Sequence, residues 1–331
     1  MSVIDDVFPV PPPSKRRLPF SSLVPVLAGA FVGVAFRLMF MGEGHARNSP
    51  MVGAFIAFVP FAVGAFTVYM AERTERRTWG YYAIAGALAN VIFVLATMAI
   101  LIEGLICAVL IVPLFAITGA LAGLIMGAIC RSANWPKKPA MYSFAFLPLL
   151  LAAVVPPEPS DDVQGVIERK VVINADAPAI WHQMMETRDI KQVEVGQAWM
   201  YRIGVPTPKS GVARLTPQGL VREIRMGKGI HFTQVSTEWE TNRYVRWQYR
   251  FDADSFPPGA LDDHVKIGGD FFDLADTEYF LEPAGPHQTT LTVRMRYRVS
   301  TQFNWYAKRV ASGLIGNFEE NILALYAKRS S

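Results

Sequence analysis

Cysteine is nearly absent from this chain. The only two in 331 residues are Cys107 and Cys130, and both lie inside apolar runs. That excludes a disulfide framework in the C-terminal half, although a segment of that size builds a core without staples. Histidine is scarce too. His182, His231, His264 and His287 are scattered, with no second ligand at metal spacing, so neither a metal site nor a cofactor is expected. No nucleophile elbow, phosphate loop or dinucleotide fingerprint occurs, and no catalytic residue can be assigned. Charged residues make up only 18%. The net charge of +4 divides unevenly: residues 1–155 carry 11 basic and 6 acidic side chains, net +5, and the remainder is net −1. The C-terminal half therefore has no basic stripe to grip phosphates, and nucleic acid is set aside as a partner.

Long apolar runs are abundant. Apolar residues reach 51% and mean hydropathy is +0.24, values that suit a chain half embedded in lipid. After a tail at 1–19, the spacing predicts a transmembrane bundle over 20–155 with about five helices, at 20–41, 50–71, 79–102, 104–130 and 139–155. Lys15, Arg16 and Arg17, then Arg73, Arg76 and Arg77, then Arg131, Lys137 and Lys138 fall on one face. Arg47 falls on the other, with Arg37 near a span end. The basic face is cytoplasmic by the positive-inside rule. Five crossings then put the C-terminal domain in the periplasm of a bacterial inner membrane. The last run is short and holds Pro148; if it lies in the interface, the domain is cytoplasmic. Gly29 and Gly33, and Gly119, Gly123 and Gly127, repeat every four residues, a stripe that lets helices pack closely in lipid. Glu103 sits at a tight turn between spans, with water in reach.

A proline-rich linker, 156–164, leads to a soluble domain at 165–331. A strand over 166–173 is followed by Asp176 at a helix N-cap, Pro178 in the first turn, and Ile180, Trp181 and Met184 on the helix face. A polar, turn-rich stretch runs to Gly211. Strands follow at 219–226, 230–240, 243–251 and 271–282. In the clearest strand Leu291, Val293, Met295, Tyr297 and Val299 face inward, and Arg294, Arg296 and Arg298 outward. A helix over 302–328 closes the chain, with Phe303, Ala307, Val310, Leu314, Phe318, Ile322 and Leu325 as its buried stripe. The order predicts an α+β fold: a curved antiparallel sheet wrapped around the long C-terminal helix in a helix-grip arrangement, with a cavity between them.

The run Ile173-Asn174-Ala175-Asp176-Ala177-Pro178-Ala179-Ile180-Trp181, with this element order, resembles the START-like (SRPBCC) superfamily, nearest its polyketide cyclase/dehydrase-like branch. The resemblance covers residues 165–329 and leaves the membrane half outside. It implies a helix-grip fold that binds a hydrophobic molecule, such as a lipid, sterol or polyketide, between sheet and helix. Some members are cyclases or hydratases. No catalytic motif of the family maps onto this chain.

Trp239, Trp247, Tyr249, His264, Met295, Tyr297 and Leu314 are the candidate ligand-lining residues, although a packed core would use the same types. The loop 252–270, with Asp252, Asp254, Asp262, Asp263, His264 and Asp270, is a candidate lid carrying an acid–base pair. The expected function is membrane-tethered binding, or transfer, of an apolar or amphipathic small molecule, with lipid as one candidate. One alternative is a cyclase or dehydratase in the same cavity, which predicts buried, mutually bonded His, Asp or Tyr there. Another is a structural or sensor module that docks a membrane partner, which predicts an exposed apolar patch and no deep pocket. No protein partner can be named.

Overall fold

The computed structural model describes residues 20–43, 46, 49–133, 162–217 and 219–330. The expected fifth crossing at 139–155, most of the linker, and the flanking Lys and Arg clusters at 15–17 and 137–138 lie outside the described residues.

The N-terminal half folds as four long helices, α1 (Phe20–Met39), α2 (Gly53–Thr74), α3 (Trp79–Ala99) and α4 (Leu105–Ser132). Each is long and apolar enough to cross a membrane. Leu27, Phe31, Ile84, Leu95, Ile117, Leu121 and Ile125 are exposed on their outer surfaces. The interior is knit by close backbone approach. A Cβ at Gly119 would lie 2.2 Å from Asn90 Nδ2 and 2.5 Å from Gly86 O, and one at Gly123 would lie 2.3 Å from Tyr82 O. The glycine stripe of α4 is thus the groove that α2 and α3 occupy.

The C-terminal half is one eight-stranded antiparallel sheet, ordered β1-β8-β7-β6-β5-β4-β3-β2. The strands are β1 (Val163–Ile173), β2 (Glu186–Thr187), β3 (Pro208–Thr216), β4 (Gly219–Met226), β5 (His231–Glu240), β6 (Tyr244–Arg250), β7 (Phe272–Gly285) and β8 (Gln288–Val299). Register shifts in β5 between Val235 and Glu238, and in β7 between Leu274 and Asp276, add local bend. Three short helices, α5 (Ala177–Met185), α6 (Gln192–Val195) and α7 (Trp199–Arg202), close one side, and α8 (Asn304–Ser330) lies in the curl. This is a helix-grip α+β fold.

The convex face carries an ion-pair ladder. Arg296 bonds Asp276 (2.8 Å) and Glu278 (3.0 Å), Arg246 bonds Asp276 (2.9 Å), and Arg294 bonds Glu168 (2.7 Å). Asp276 and Glu278 are buried beneath these guanidiniums. The outward arginine row is therefore internally paired.

Two local expectations change. Residues 208–211, read as the end of a turn-rich stretch, and 212–216, given no element, form β3: Gly211 is the buried residue of a polar strand that pairs with β4. Asp176 is the N-cap of α5, yet it makes no side-chain cap bond and instead meets His287 Nδ1 at 3.2 Å.

The two halves meet at one end of the bundle. Gln302 Oε1 accepts from Gly53 N (2.5 Å), and Tyr306 OH donates to Leu110 O (2.5 Å). Phe303 joins the bundle's hydrophobic cluster. The basic residues Arg73, Arg76, Arg77 and Arg131 belong to the other end, where α2 finishes, α3 begins and α4 finishes.

Candidate functional site

A single cavity of about 350 Å³ runs from the curl of the sheet, along α8, into the helix bundle. Its lining follows from the faces that the elements turn inward. Val310, Leu314, Phe318 and Ile322 come from α8, and Ile224, Phe232 and Leu274 from the sheet. Phe55, Phe93 and Phe115 come from the bundle. Tyr306 and Tyr326 both line it; twenty residues of helix separate them, about 30 Å at 1.5 Å per residue. The walls are apolar along nearly this whole length.

The end away from the bundle is polar. Arg222 lies on β4, inward between Leu220 and Ile224, and is only 6% exposed. Its Nη2 donates to Tyr326 OH at 2.9 Å, its Nε has no partner, and its guanidinium stands 5.9 Å from the Trp247 ring. No described carboxylate lies within ion-pair distance of it. Gln234, whose Oε1 is unpartnered, Tyr249 and Tyr279 line the same end. Burial pushes the Tyr249 hydroxyl up to about 12, and it shares a 2.6 Å hydrogen bond with Thr277. These phenols are neutral donors and acceptors at ordinary pH. The arrangement is a cation with neutral neighbours at the end of an apolar tube, and an unpaired buried charge of this kind is costly until an acceptor reaches it.

The other end is built at the junction of the halves. Glu103, in the α3–α4 turn, accepts from Arg37 Nε at 2.5 Å; Arg37 also donates to Phe40 O at 2.6 Å and is buried rather than reaching for solvent. Cys107, in the first turn of α4, has its Sγ 3.5 Å from His264 Nδ1. That same nitrogen lies 3.1 Å from Asp262 Oδ1. Asp262 caps, and His264 lies within, a 3₁₀ turn, Asp263–Val265, in the loop between β6 and β7. Gly104 makes the approach possible, because a Cβ there would meet Asp262 Oδ2 at 2.5 Å. Burial raises the Asp262 carboxyl, but its interactions with His264 and Cys107 together outweigh that and hold the group down at about 2. Burial lowers His264, but Asp262 outweighs it and the imidazole is raised overall.

Of the expected lining residues, Tyr249, His264, Met295 and Leu314 line the cavity. Trp239, Trp247 and Tyr297 do not. Trp247 is 0% exposed, packed behind Arg222. Tyr297 is wedged between Gly165 of β1 and α8, its hydroxyl 2.6 Å from Ser312 Oγ. Trp239 is half-buried at the edge of the sheet core. Sequence reasoning missed Arg222, Gln234, Tyr279 and Tyr326. The available signal was Arg222 itself, a charged residue at an inward position of an alternating strand. It also missed the bundle's share of the lining, which no periodicity reveals. The loop 252–270 contributes Leu261, Val265 and Ile267 beside His264.

No protein-family model matches the chain, and no curated protein matches it in sequence. Among solved structures the C-terminal half is similar to Zhui aromatase/cyclase from a Streptomyces species, at 11% identity over 51% of this chain and 94% of that one, with a TM-score of 0.32. It is similar to norcoclaurine synthase from Thalictrum flavum, at 13% identity over 52% and 99%, TM-score 0.31. It is also similar to an uncharacterised protein from Rhizobium leguminosarum, at 10% identity over 51% and 97%, TM-score 0.31. Values this low carry no site or ligand across, so the chemistry of the cavity rests on its own residues.

Proposed function

We propose that this protein binds an apolar or amphipathic small molecule, a lipid foremost, in the cavity shared by the helix grip and the bundle. The observation that carries the reading is the continuity of that cavity: its walls come from both halves and are apolar for about 30 Å along α8. Arg37 at the bundle end is paired with Glu103, whereas Arg222 has no ion-pair partner among the described residues, which favours a ligand with one anionic or strongly accepting head and a long apolar body. Such molecules partition into bilayers, and a cavity walled in part by the bundle's helices stands beside that pool.

The same reading takes residues 20–155 as the membrane part, 156–164 as a linker and 165–331 as the binding part. The helix-grip half meets the bundle end opposite Arg73, Arg76, Arg77 and Arg131, which supports a location on the non-cytoplasmic side, the periplasm in a bacterial inner membrane. At the Arg222 end the described lining offers tyrosine, glutamine and arginine but no carboxylate or imidazole to act as a base; the bonded pair that a cyclase or dehydratase would call on, His264 and Asp262, lies at the opposite end of the cavity.

The test is native mass spectrometry of the full chain extracted in mild detergent, followed by identification of the released molecule. A retained amphiphile, displaced by a fluorescent fatty-acyl probe, is the expected result. A chain that retains nothing and does not bind the probe would remove the reading.

A further inference from the structure

Four potential ligand groups from distant parts of the chain converge where the two halves touch. Glu103 and Cys107 come from the bundle, Asp262 and His264 from the β6–β7 loop. One ligand atom from each lies within 4.8 Å of all the others. A tetrahedral ion with bonds of about 2.0–2.3 Å needs ligand atoms about 3.3–3.8 Å apart. The Nδ1–Oδ1 and Sγ–Nδ1 separations, 3.1 and 3.5 Å, are already near that. The rest need a contraction of at most about 1.5 Å, within reach of side-chain rotation.

A second observation points into the same space. The Asp262 side chain is 10% exposed, and its Oδ2 is buried with no hydrogen-bond partner. A buried carboxylate oxygen left without a donor is costly. It sits against the bundle, where Gly104 leaves room for it.

The chemistry of the set narrows the occupant. Thiolate and imidazole exclude calcium and magnesium, which take oxygen shells of six or more. Mixed sulfur, nitrogen and carboxylate donors suit zinc. The charges also close: a thiolate and two carboxylates give −3, and Arg37, bonded to Glu103, brings the site to −2. A divalent ion neutralises it. A cysteine–histidine–aspartate catalytic relay does not fit, because Cys107 and Asp262 both address Nδ1. A relay needs the nucleophile on one ring nitrogen and the carboxylate on the other.

We propose that Glu103, Cys107, Asp262 and His264 bind one divalent ion of the zinc class. The ion clamps the β6–β7 loop onto the membrane bundle. Because Leu261, Val265 and Ile267 of that loop also form the cavity wall, the clamp holds the wall closed around whatever the cavity contains. This inference does not depend on the identity of the ligand.

The test uses the full chain in detergent, stripped with a chelator and reloaded with zinc or cobalt(II) alone. Elemental analysis after gel filtration should find one zinc per chain. Cobalt should give tetrahedral visible bands and a near-ultraviolet thiolate-to-metal charge-transfer band. Cys107→Ser should abolish the charge-transfer band, and Asp262→Asn and His264→Ala should each weaken zinc binding by at least about ten-fold. Cys130→Ser and His231→Ala should change neither. Reloaded wild-type protein with no retained zinc and no charge-transfer band would overturn the proposal, and that result requires no variant to fold. Zinc bound equally by wild type and Cys107→Ser, with the band unchanged, would overturn it too.

Discussion

At the scale of single residues, two buried ionisable groups, Arg222 and Glu319, stand out in the helix-grip half. Arg222 stands at the polar end of the cavity without a counter-ion. Arg222→Met keeps an unbranched side chain of similar reach against Trp247 and removes the cation. It should weaken binding of an anionic amphiphile about 10- to 100-fold, the worth of one charge-assisted hydrogen bond, and leave a neutral analogue nearly unaffected. Competition with a fluorescent acyl probe measures both.

Glu319 sits mid-way along α8, fully buried, and burial pushes its carboxyl from the ordinary 4.5 up to about 8. The folded protein therefore holds a proton that the unfolded chain releases. Its stabilising share is complete below about pH 4.5 and is lost as the pH rises through about 8. Glu319→Gln should flatten that decline and raise stability above pH 8 by on the order of 2 kcal/mol. Apparent melting midpoints of the full chain from pH 5 to 9 would show it. A parallel decline in wild type and variant would exclude Glu319 as its source.

Among the elements, α4 is the most constrained. Gly119 and Gly123 abut the backbone carbonyls of Gly86 and Tyr82, so Gly119→Leu cannot be relieved by rotamer changes alone. It should cost about 1–3 kcal/mol or more through overpacking. Gly80→Ala, where an added Cβ meets nothing within 4 Å, should be neutral. Thermal aggregation in detergent separates the two. The four spans, six of the eight strands and the last helix were legible in the sequence because each carries an unbroken apolar or alternating pattern. β3 was not, because Lys209, Ser210 and Arg214 give it a polar surface and it is held chiefly by pairing with β4. The cavity was half legible. Inward residues such as Met295 follow from alternation, but whether an inward residue lines space or fills it depends on its neighbours. Gly165 and Ser312 decide that for Tyr297, and they lie 132 and 15 residues away. Of the Glu103–Cys107–Asp262–His264 cluster, Asp262 and His264 were visible as a pair in the loop 252–270, but their meeting with Glu103 and Cys107 was not, since it is made only by docking of one half on the other.

For the whole molecule, the relation of the two halves makes a topological prediction. In a chain lacking its native cysteines, Glu240→Cys on the helix-grip half and Thr74→Cys at the basic end of the bundle should react from opposite sides of the membrane. An impermeant maleimide added to spheroplasts should label position 240 and spare position 74. The reverse pattern would place the binding half in the cytoplasm. Labelling of both in sealed cells would mean that the bundle does not cross.

The continuity of the cavity with the bundle also changes what an affinity means for this protein. A ligand that enters from among the helices exchanges with the bilayer, so its occupancy follows its mole fraction in the surrounding lipid. Its concentration in bulk water is fixed by partition with that same pool. Doubling the amount of membrane at fixed total ligand should then roughly halve the bound fraction at low saturation. A dissociation constant from one detergent reports a competition with that micelle, and values from different detergents should rank by how well each dissolves the ligand.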